Sequence, residues 1–338
     1  MAGDRGVDVN LEDLGAVGTA EPPAMAELQK TRRRRRGRRP PKGRIAKKEQ
    51  RAGFLFASPW LLGTVLFVLG PILASVLLSA TNWNLLTSAK WVGLENYRDM
   101  IQDRNFYQSI KVTLFYTMLA VPLYQVAGLL LALLLNQRVR GMYLFRTILF
   151  LPSVLSGVAV AALWVSLLNP DLGAVNQVLR SIGIDDPPRW LASPSWAIPA
   201  VVLMGLWGVG GGAIIYLAGL QNIPPSLYAA ARIDGAGTWQ TFWQITFPLL
   251  TPTLLFTLLI GLIGAFQVFD TAFVLGGSRG GTRGSLLFYV LNIWNEGFRN
   301  GRFGYASALA WVLVVAAAVV IVLIFVTSSR WVYYESES

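Results

Sequence analysis

The 338-residue sequence contains no cysteine and no histidine. Without cysteine there is no disulfide framework, thiol nucleophile or thiolate metal site. Without histidine there is no imidazole base, metal ligand or switch near neutral pH. Charge is also scarce: Asp, Glu, Lys and Arg are 14% of the chain against 54% hydrophobic residues, where a soluble domain carries about 25% charged residues. No Gly-x-x-x-x-Gly-Lys-Ser/Thr loop occurs, so the chain lacks the usual phosphate cradle of a nucleotide hydrolase. These absences remove most hydrolytic and redox chemistry and point to a membrane protein.

What is present supports this. A helix crossing ~30 Å of hydrocarbon needs ~20 largely uncharged residues, and six gaps without charge are long enough: 52–89, 112–137, 147–170, 190–231, 235–269 and 303–329. The expected fold is an all-α polytopic membrane protein, with spans near Phe54–Ala80, Val112–Leu135, Thr147–Leu168, Trp196–Leu220, Leu249–Leu275 and Tyr305–Thr327. The expected organisation is a tail over 1–51, basic from residue 30, a six-span domain over 52–334 and a short C-terminal tail over 335–338.

The net charge of +11 is mostly a property of the tail, because residues 1–51 hold 14 Lys/Arg and 7 Asp/Glu. That composition buries no core and reads as disordered. For the run Arg32–Arg39 three readings compete: an RNA-binding arm, a nuclear address, or a topogenic anchor on anionic lipid beside the first span. Its position just before Phe54 favours the anchor and no nucleic acid. Orientation holds a conflict. With the N-terminus cytoplasmic, the inner loops after residue 51 carry five Lys/Arg and the outer loops ten. The tail adjoins the first helix, which usually dominates, so both termini are expected on the cytoplasmic side of the cell's inner or plasma membrane.

One loop that should be polar is not. Residues 221–248 hold two charges in 28 residues. Pro224 and Pro225 suit a helix start, Gly235 a left-handed stop, and Thr238 the cap of a second short helix ending before Pro248. Leu227, Tyr228, Trp239, Phe242, Trp243 and Ile245 on such a helix–turn–helix need cover. Another protein provides it, or the hairpin lies on lipid headgroups.

The stretch from Ile223-Pro224 through Ala229-Ala230-Ala231-Arg232-Ile233-Asp234-Gly235-Ala236 to Phe242, Ile245, Pro248 and Pro252 resembles the Glu-Ala-Ala loop of binding-protein-dependent ABC importer permeases. The branch is the carbohydrate one that includes maltose and glycerol-3-phosphate permeases, and the subunit is similar to the first of its two permeases. Trp91-Val92-Gly93-Leu94-Glu95-Asn96-Tyr97, Phe269-Asp270 with Gly276-Gly277, and Phe303-Gly304-Tyr305-Ala306 carry the resemblance over about 52–334. Ala229 stands where the family usually has Glu. The resemblance implies that 221–248 is a cytoplasmic coupling loop, with Tyr228, Ala229, Ala230, Arg232, Asp234 and Gly235 docking onto a separate ATPase. It further implies a second homologous permease subunit, two ATPase copies that bind the ATP and Mg, an extracytoplasmic solute-binding protein, and a sugar as cargo. No cofactor is expected in this chain, which is not itself an enzyme.

Polar groups inside a membrane are expensive and mark pathways. Gln267 and Asp270, beside the space opened by Gly264, and Trp207 are the pathway candidates, with Gly210-Gly211-Gly212 beside Trp207 reading as a flexible break or as a close helix-packing face. For Asp270, a gate or structural ion pair ranks ahead of solute contact. A neutral polyol fits spans without fixed charge better than an anion does. The glycine-rich run Gly276–Gly284 lacks the Lys-Ser/Thr ending of a phosphate loop and reads as a flexible outer loop. Two rival classes are an autonomous secondary transporter, which needs ion-coupling carboxylates inside the spans, and a polytopic glycosyl transferase, which needs clustered carboxylates at one face.

Overall fold

The computed structural model describes residues 44–137 and 139–333. The expected disorder before residue 44, the basic run Arg32–Arg39 and the short tail 335–338 lie outside the described residues. The chain divides into two units, one ending at Pro71 and the other starting at Ile72.

The described part of the first unit is α1 (Arg44–Thr64) and a π turn (Val65–Leu69), and the unit boundary falls within α2 (Gly70–Ser79). Helix α1 begins within the stretch assigned to a disordered tail, so residues 44–51 are a correction. No proline separates Pro41 from Pro59, and Lys, Arg, Glu, Gln and Ala all favour helix, which lets the basic segment extend the span that follows.

Among the described residues of the second unit the only strands are β1 (Thr81–Asn82) and β2 (Lys90–Trp91), a ribbon where Thr81 pairs with Trp91 and Asn82 with Lys90. After α3 (Glu95–Gln102) comes α4 (Arg104–Leu135), a 32-residue helix. Then follow α5 (Met142–Val154), α6 (Gly157–Leu167), α7 (Ala174–Ser181), α8 (Pro194–Trp207) and α9 (Gly210–Gln221). Next are α10 (Pro225–Ile233), α11 (Thr238–Thr241), a π turn (Phe242–Thr246) and α12 (Phe247–Phe266). The remainder is α13 (Asp270–Gly276), α14 (Tyr289–Trp294) and α15 (Phe303–Ser328).

Among the described residues, four runs are long and apolar enough to cross a membrane: Ala52–Ser79, Arg104–Leu135, Thr238–Phe266 and Phe303–Ser328. Two bent pairs, α5 with α6 at 95° and α8 with α9 at 50°, bring the count to six if each pair is one span. Thus the third and fourth expected spans are broken. Leu155 and Ser156 take extended backbone (ψ 146° and 132°) between α5 and α6, where Ser156-Gly157 gives poor helix propensity just after Pro152. Gly208, at ψ 4°, separates α8 from α9. The fifth span also differs: α12 ends at Phe266, and Val268 and Phe269 are non-helical before α13 begins at Asp270.

The second arm of the loop hairpin does not stop before Pro248, which is a further correction. It runs through the π turn straight into α12. Proline removes an N–H donor and its ring clashes with the carbonyl four residues back. The wider π turn, ending two residues before Pro248, shifts those carbonyls and absorbs the defect. The π turn Val65–Leu69 stands in the same relation to Pro71.

Helix α4 is the centre of the second unit. Near its start Val112, Tyr116 and Val121 pack with Ile198 and Val201 of α8 and with Phe288. Near its end Ala132 and Leu135 pack with Tyr216 and Leu220 of α9 and Leu250 of α12. At the end opposite the loop 221–248, two of the sequence stretches that carry the family resemblance meet. Asn96, buried, donates to the carbonyls of Ser79 (2.8 Å) and Thr81 (2.9 Å). The Phe303 N–H bonds to the Trp83 carbonyl at 3.0 Å, and a Cβ on Gly304 would collide with the Thr81 carbonyl. Buried Glu296 accepts from Arg302 at 3.3 Å, and Arg302 also lies over the Tyr305 ring.

Candidate coupling loop and translocation pathway

Helix α10 starts where Pro225 needs no hydrogen-bond partner for a missing N–H. It ends in a Schellman turn: the Ala236 N–H bonds to the Ala231 carbonyl (2.9 Å) and the Gly235 N–H to the Arg232 carbonyl (3.2 Å), with Gly235 at φ 74°. The cap of α11 is Gly237 rather than Thr238.

The six loop residues singled out in the sequence divide between two faces. Ala231, not among them, and Ile223 are buried and seat the hairpin. Tyr228 is half-buried, its hydroxyl 3.1 Å from Thr246 Oγ1. Arg232 Nε donates to the Tyr228 carbonyl at 3.2 Å. Both line a cavity of about 420 Å3 with Leu133, Asn136, Phe242 and Thr246. Ala229, Ala230, Arg232, Asp234 and Gly235 are exposed. Around them the surface is apolar: Ile233 is 87% exposed and Trp239 74%. Trp239 and Trp243 meet edge to face at 5.6 Å, and Trp243 reaches Phe247 at 5.0 Å. An aromatic shelf beside a bare helical turn offers a seat for another surface and no reaction chemistry. A side chain larger than Ala229 would sit on the exposed side of α10.

The pathway candidates lie apart. Gln267 caps the end of α12 and is exposed, with no side-chain hydrogen bond among the described residues. Asp270 opens α13, which packs on α6, so Gln267 and Asp270 do not share a helix as the sequence suggested. Among the described residues no cation pairs with Asp270. Gly264 has open space where a side chain would be. Trp207, at the end of α8, meets Trp164 of α6 edge-on at 6.4 Å.

A polar chain missed by sequence reasoning lies between these helices. Thr257 Oγ1 on α12 donates to the Tyr216 hydroxyl on α9 (2.7 Å), which donates to Gln125 Oε1 on α4 (2.7 Å). Tyr124 donates to the Val202 carbonyl on α8 at 3.0 Å. These four side chains border a cavity of about 270 Å3 at the break between α8 and α9, where Gly205, Gly208, Gly212 and Gly261 leave room. No charged residue lines it. None of Gln267, Asp270, Gly264 and Trp207 borders it, although Gly261 lies one turn before Gly264. The rule that selected Gln267, an amide within an uncharged gap, applies equally to Gln125.

Residues 125–334 match the family model described as binding-protein-dependent transport system inner membrane component. A probable ABC transporter permease of Bacillus subtilis, YesP, is 39% identical over 298 residues, covering 88% of this chain and 96% of that protein. The lactose transport system permease LacF of Rhizobium radiobacter is 38% identical over 272 residues, covering 79% and 90%. Among solved structures, a bacterial alginate ABC transporter in complex with an alginate pentasaccharide-bound periplasmic protein contains a chain with TM-score 0.75 and 28% identity, covering 85% of this chain and 98% of that one.

Proposed function

The chain belongs to the binding-protein-dependent transport system inner membrane components, and from that premise we propose that it is the membrane-spanning permease subunit of an ATP-driven sugar importer. It forms half of the translocation pathway, and a second, homologous permease subunit forms the other half. Two copies of a cytoplasmic ATPase bind and hydrolyse ATP with Mg, and an extracytoplasmic solute-binding protein delivers the sugar. The hairpin Pro225–Phe247 is the coupling loop. The observation that carries this reading is the apolar outer face of the hairpin, with Ile233 87% and Trp239 74% exposed, on a chain without a phosphate loop of its own.

The pathway runs past the break between α8 and α9. Irregular backbone at membrane depth persists where it lines a cavity or is covered by protein. Four glycines give the cavity room, while Gln125, Tyr124, Tyr216 and Thr257 supply uncharged hydrogen-bonding groups and aromatic faces. This chemistry suits a neutral sugar ring, since nothing in the lining would neutralise an anion. Gln267 and Asp270 then belong to the far mouth, and Trp207 stands at the break itself, one residue before Gly208. The ends carrying the hairpin and Tyr333 face the cytoplasm, together with the basic N-terminal segment.

The absence of cysteine makes the docking testable with a single thiol. Ile233→Cys, labelled with a thiol–amine cross-linker in the assembled importer, is expected to join the chain to the ATPase. Phe298→Cys, exposed at the other end, is expected to give no such product. Cross-linking of both positions, or of neither, would contradict the assignment.

A further inference from the structure

The short segment after the last span is folded back onto the hairpin stem. From Ser328 the chain turns through hydrogen bonds of Trp331 N–H (3.1 Å) and Val332 N–H (2.8 Å) to the Ser328 carbonyl. Ser328 and Val332 are both buried. The Tyr333 N–H then donates to Thr251 Oγ1 at 2.8 Å. Thr251 is itself buried, and its hydroxyl donates to the Pro248 carbonyl at 2.6 Å. Pro248 is where the hairpin's second arm becomes α12.

The other stem lines a cavity shared with the strap. Tyr333 borders a cavity of about 250 Å3 with Asn222, Ile223 and Pro224, which lead into α10, and with Leu249 and Pro252 in the first turns of α12. The two stems press together there, since a Cβ on Gly219 would stand 2.6 Å from Thr253 Oγ1. The strap therefore ties the end of α15 to the second root of the hairpin through one main-chain N–H and one hydroxyl, and Tyr333 faces the first root across the cavity.

We propose that Thr251, Val332 and Tyr333 are positioning residues for coupling: the strap Arg330–Tyr333 holds the roots of the hairpin against α15, so displacement of the hairpin is passed to the last span. Without the strap, α10 still docks, but its motion is lost at a loosened root. The inference rests on reading the hairpin as the coupling loop.

The test uses the complete importer in proteoliposomes, measuring sugar taken up per ATP hydrolysed and the amount of ATPase that copurifies. Thr251→Val keeps the shape and removes the acceptor for the Tyr333 N–H; it is expected to keep assembly and hydrolysis but lower uptake per ATP about fivefold, the effect of one lost hydrogen bond of ordinary net strength. Thr251→Ser keeps the hydroxyl and is expected to match the parent. In this cysteine-free chain, the pair Thr251→Cys with Tyr333→Cys is expected to behave as Thr251→Val when reduced and to recover on forming a disulfide. Unchanged uptake per ATP in Thr251→Val, an equal loss in Thr251→Ser, or loss of assembly in Thr251→Val that the oxidised pair does not recover would each overturn the proposal. A Gly235→Val control separates the two readings. If it uncouples transport while Thr251→Val does not, the coupling loop stands and the strap fails; if neither variant uncouples, the coupling-loop reading fails as well.

Discussion

The hydroxyl of Tyr216 donates to Oε1 of Gln125 at 2.7 Å, joining two helices across 91 positions of sequence. Tyr216 also accepts from Thr257, so three spans are tied by hydroxyl and amide groups. Removing the middle member breaks both bonds. Tyr216→Phe is expected to destabilise the unit by about 1 kcal/mol, the scale of hydrogen bonds between membrane helices. A thermal unfolding midpoint lower than the parent's, with Tyr216→Leu lower still, checks this; an unchanged midpoint in Tyr216→Phe refutes it.

The three consecutive glycines of the fourth span are not equivalent. A Cβ on Gly210 would run into the Leu149 main-chain carbonyl, whereas one on Gly212 meets nothing within 4 Å. Gly210→Ala should cost about 2 kcal/mol or more, because the obstacle is backbone that has no other rotamer. Gly212→Ala should be neutral or stabilising by up to about 1 kcal/mol. Unfolding in a denaturant series ranks the two, and an equal cost would show that the glycines serve flexibility alone.

Gly235 has no neighbour within 4 Å of an added Cβ, but its φ is +74°. The constraint is therefore conformational and not spatial. Asn tolerates this region while β-branched side chains do not. Gly235→Asn is expected to retain coupled uptake and Gly235→Val to lose most of it while the protein stays in the membrane. Equal uptake by the two variants would remove the Schellman turn from the account.

Arg302 holds buried Glu296 at 3.3 Å and lies 3.9 Å from exposed Asp99. Arg302→Met leaves the Glu296 carboxylate without its cation, at a cost of about 3 kcal/mol. Adding Glu296→Gln should restore much of the loss. A double-mutant cycle on unfolding free energies reads the coupling, and additive losses would mean that Asn300, 3.1 Å from Glu296, satisfies the carboxylate alone.

Much of the hairpin's local structure was legible because its signals are local. Pro225 and Gly235 mark the ends of α10 by backbone chemistry that needs no partner, and the missing charge of 221–248 foretold an outer apolar face. The break in the third span was not legible, since Ser156-Gly157 interrupts a stretch whose hydropathy alone reads as continuous, whereas the glycine run after Trp207 did point to the break in the fourth, which falls at Gly208. Helix α4 begins at Arg104, ahead of the expected Val112, because charged residues end a hydrophobic run without ending a helix. The continuation of α11 through Pro248 depends on a π turn with no composition of its own. Tyr228 faces inward because Thr246, 18 residues away, offers a hydroxyl, and such pairing is visible only in three dimensions.

The central claim is that this chain moves a sugar only as part of an assembly driven by ATP. Its most direct test is radiolabelled sugar uptake into proteoliposomes, comparing the complete importer, the importer with a non-hydrolysable ATP analogue, and the isolated chain under an imposed ion gradient. The account predicts uptake only with hydrolysable ATP, the ATPase and the solute-binding protein present together. Sugar accumulation by the isolated chain under the ion gradient would contradict it.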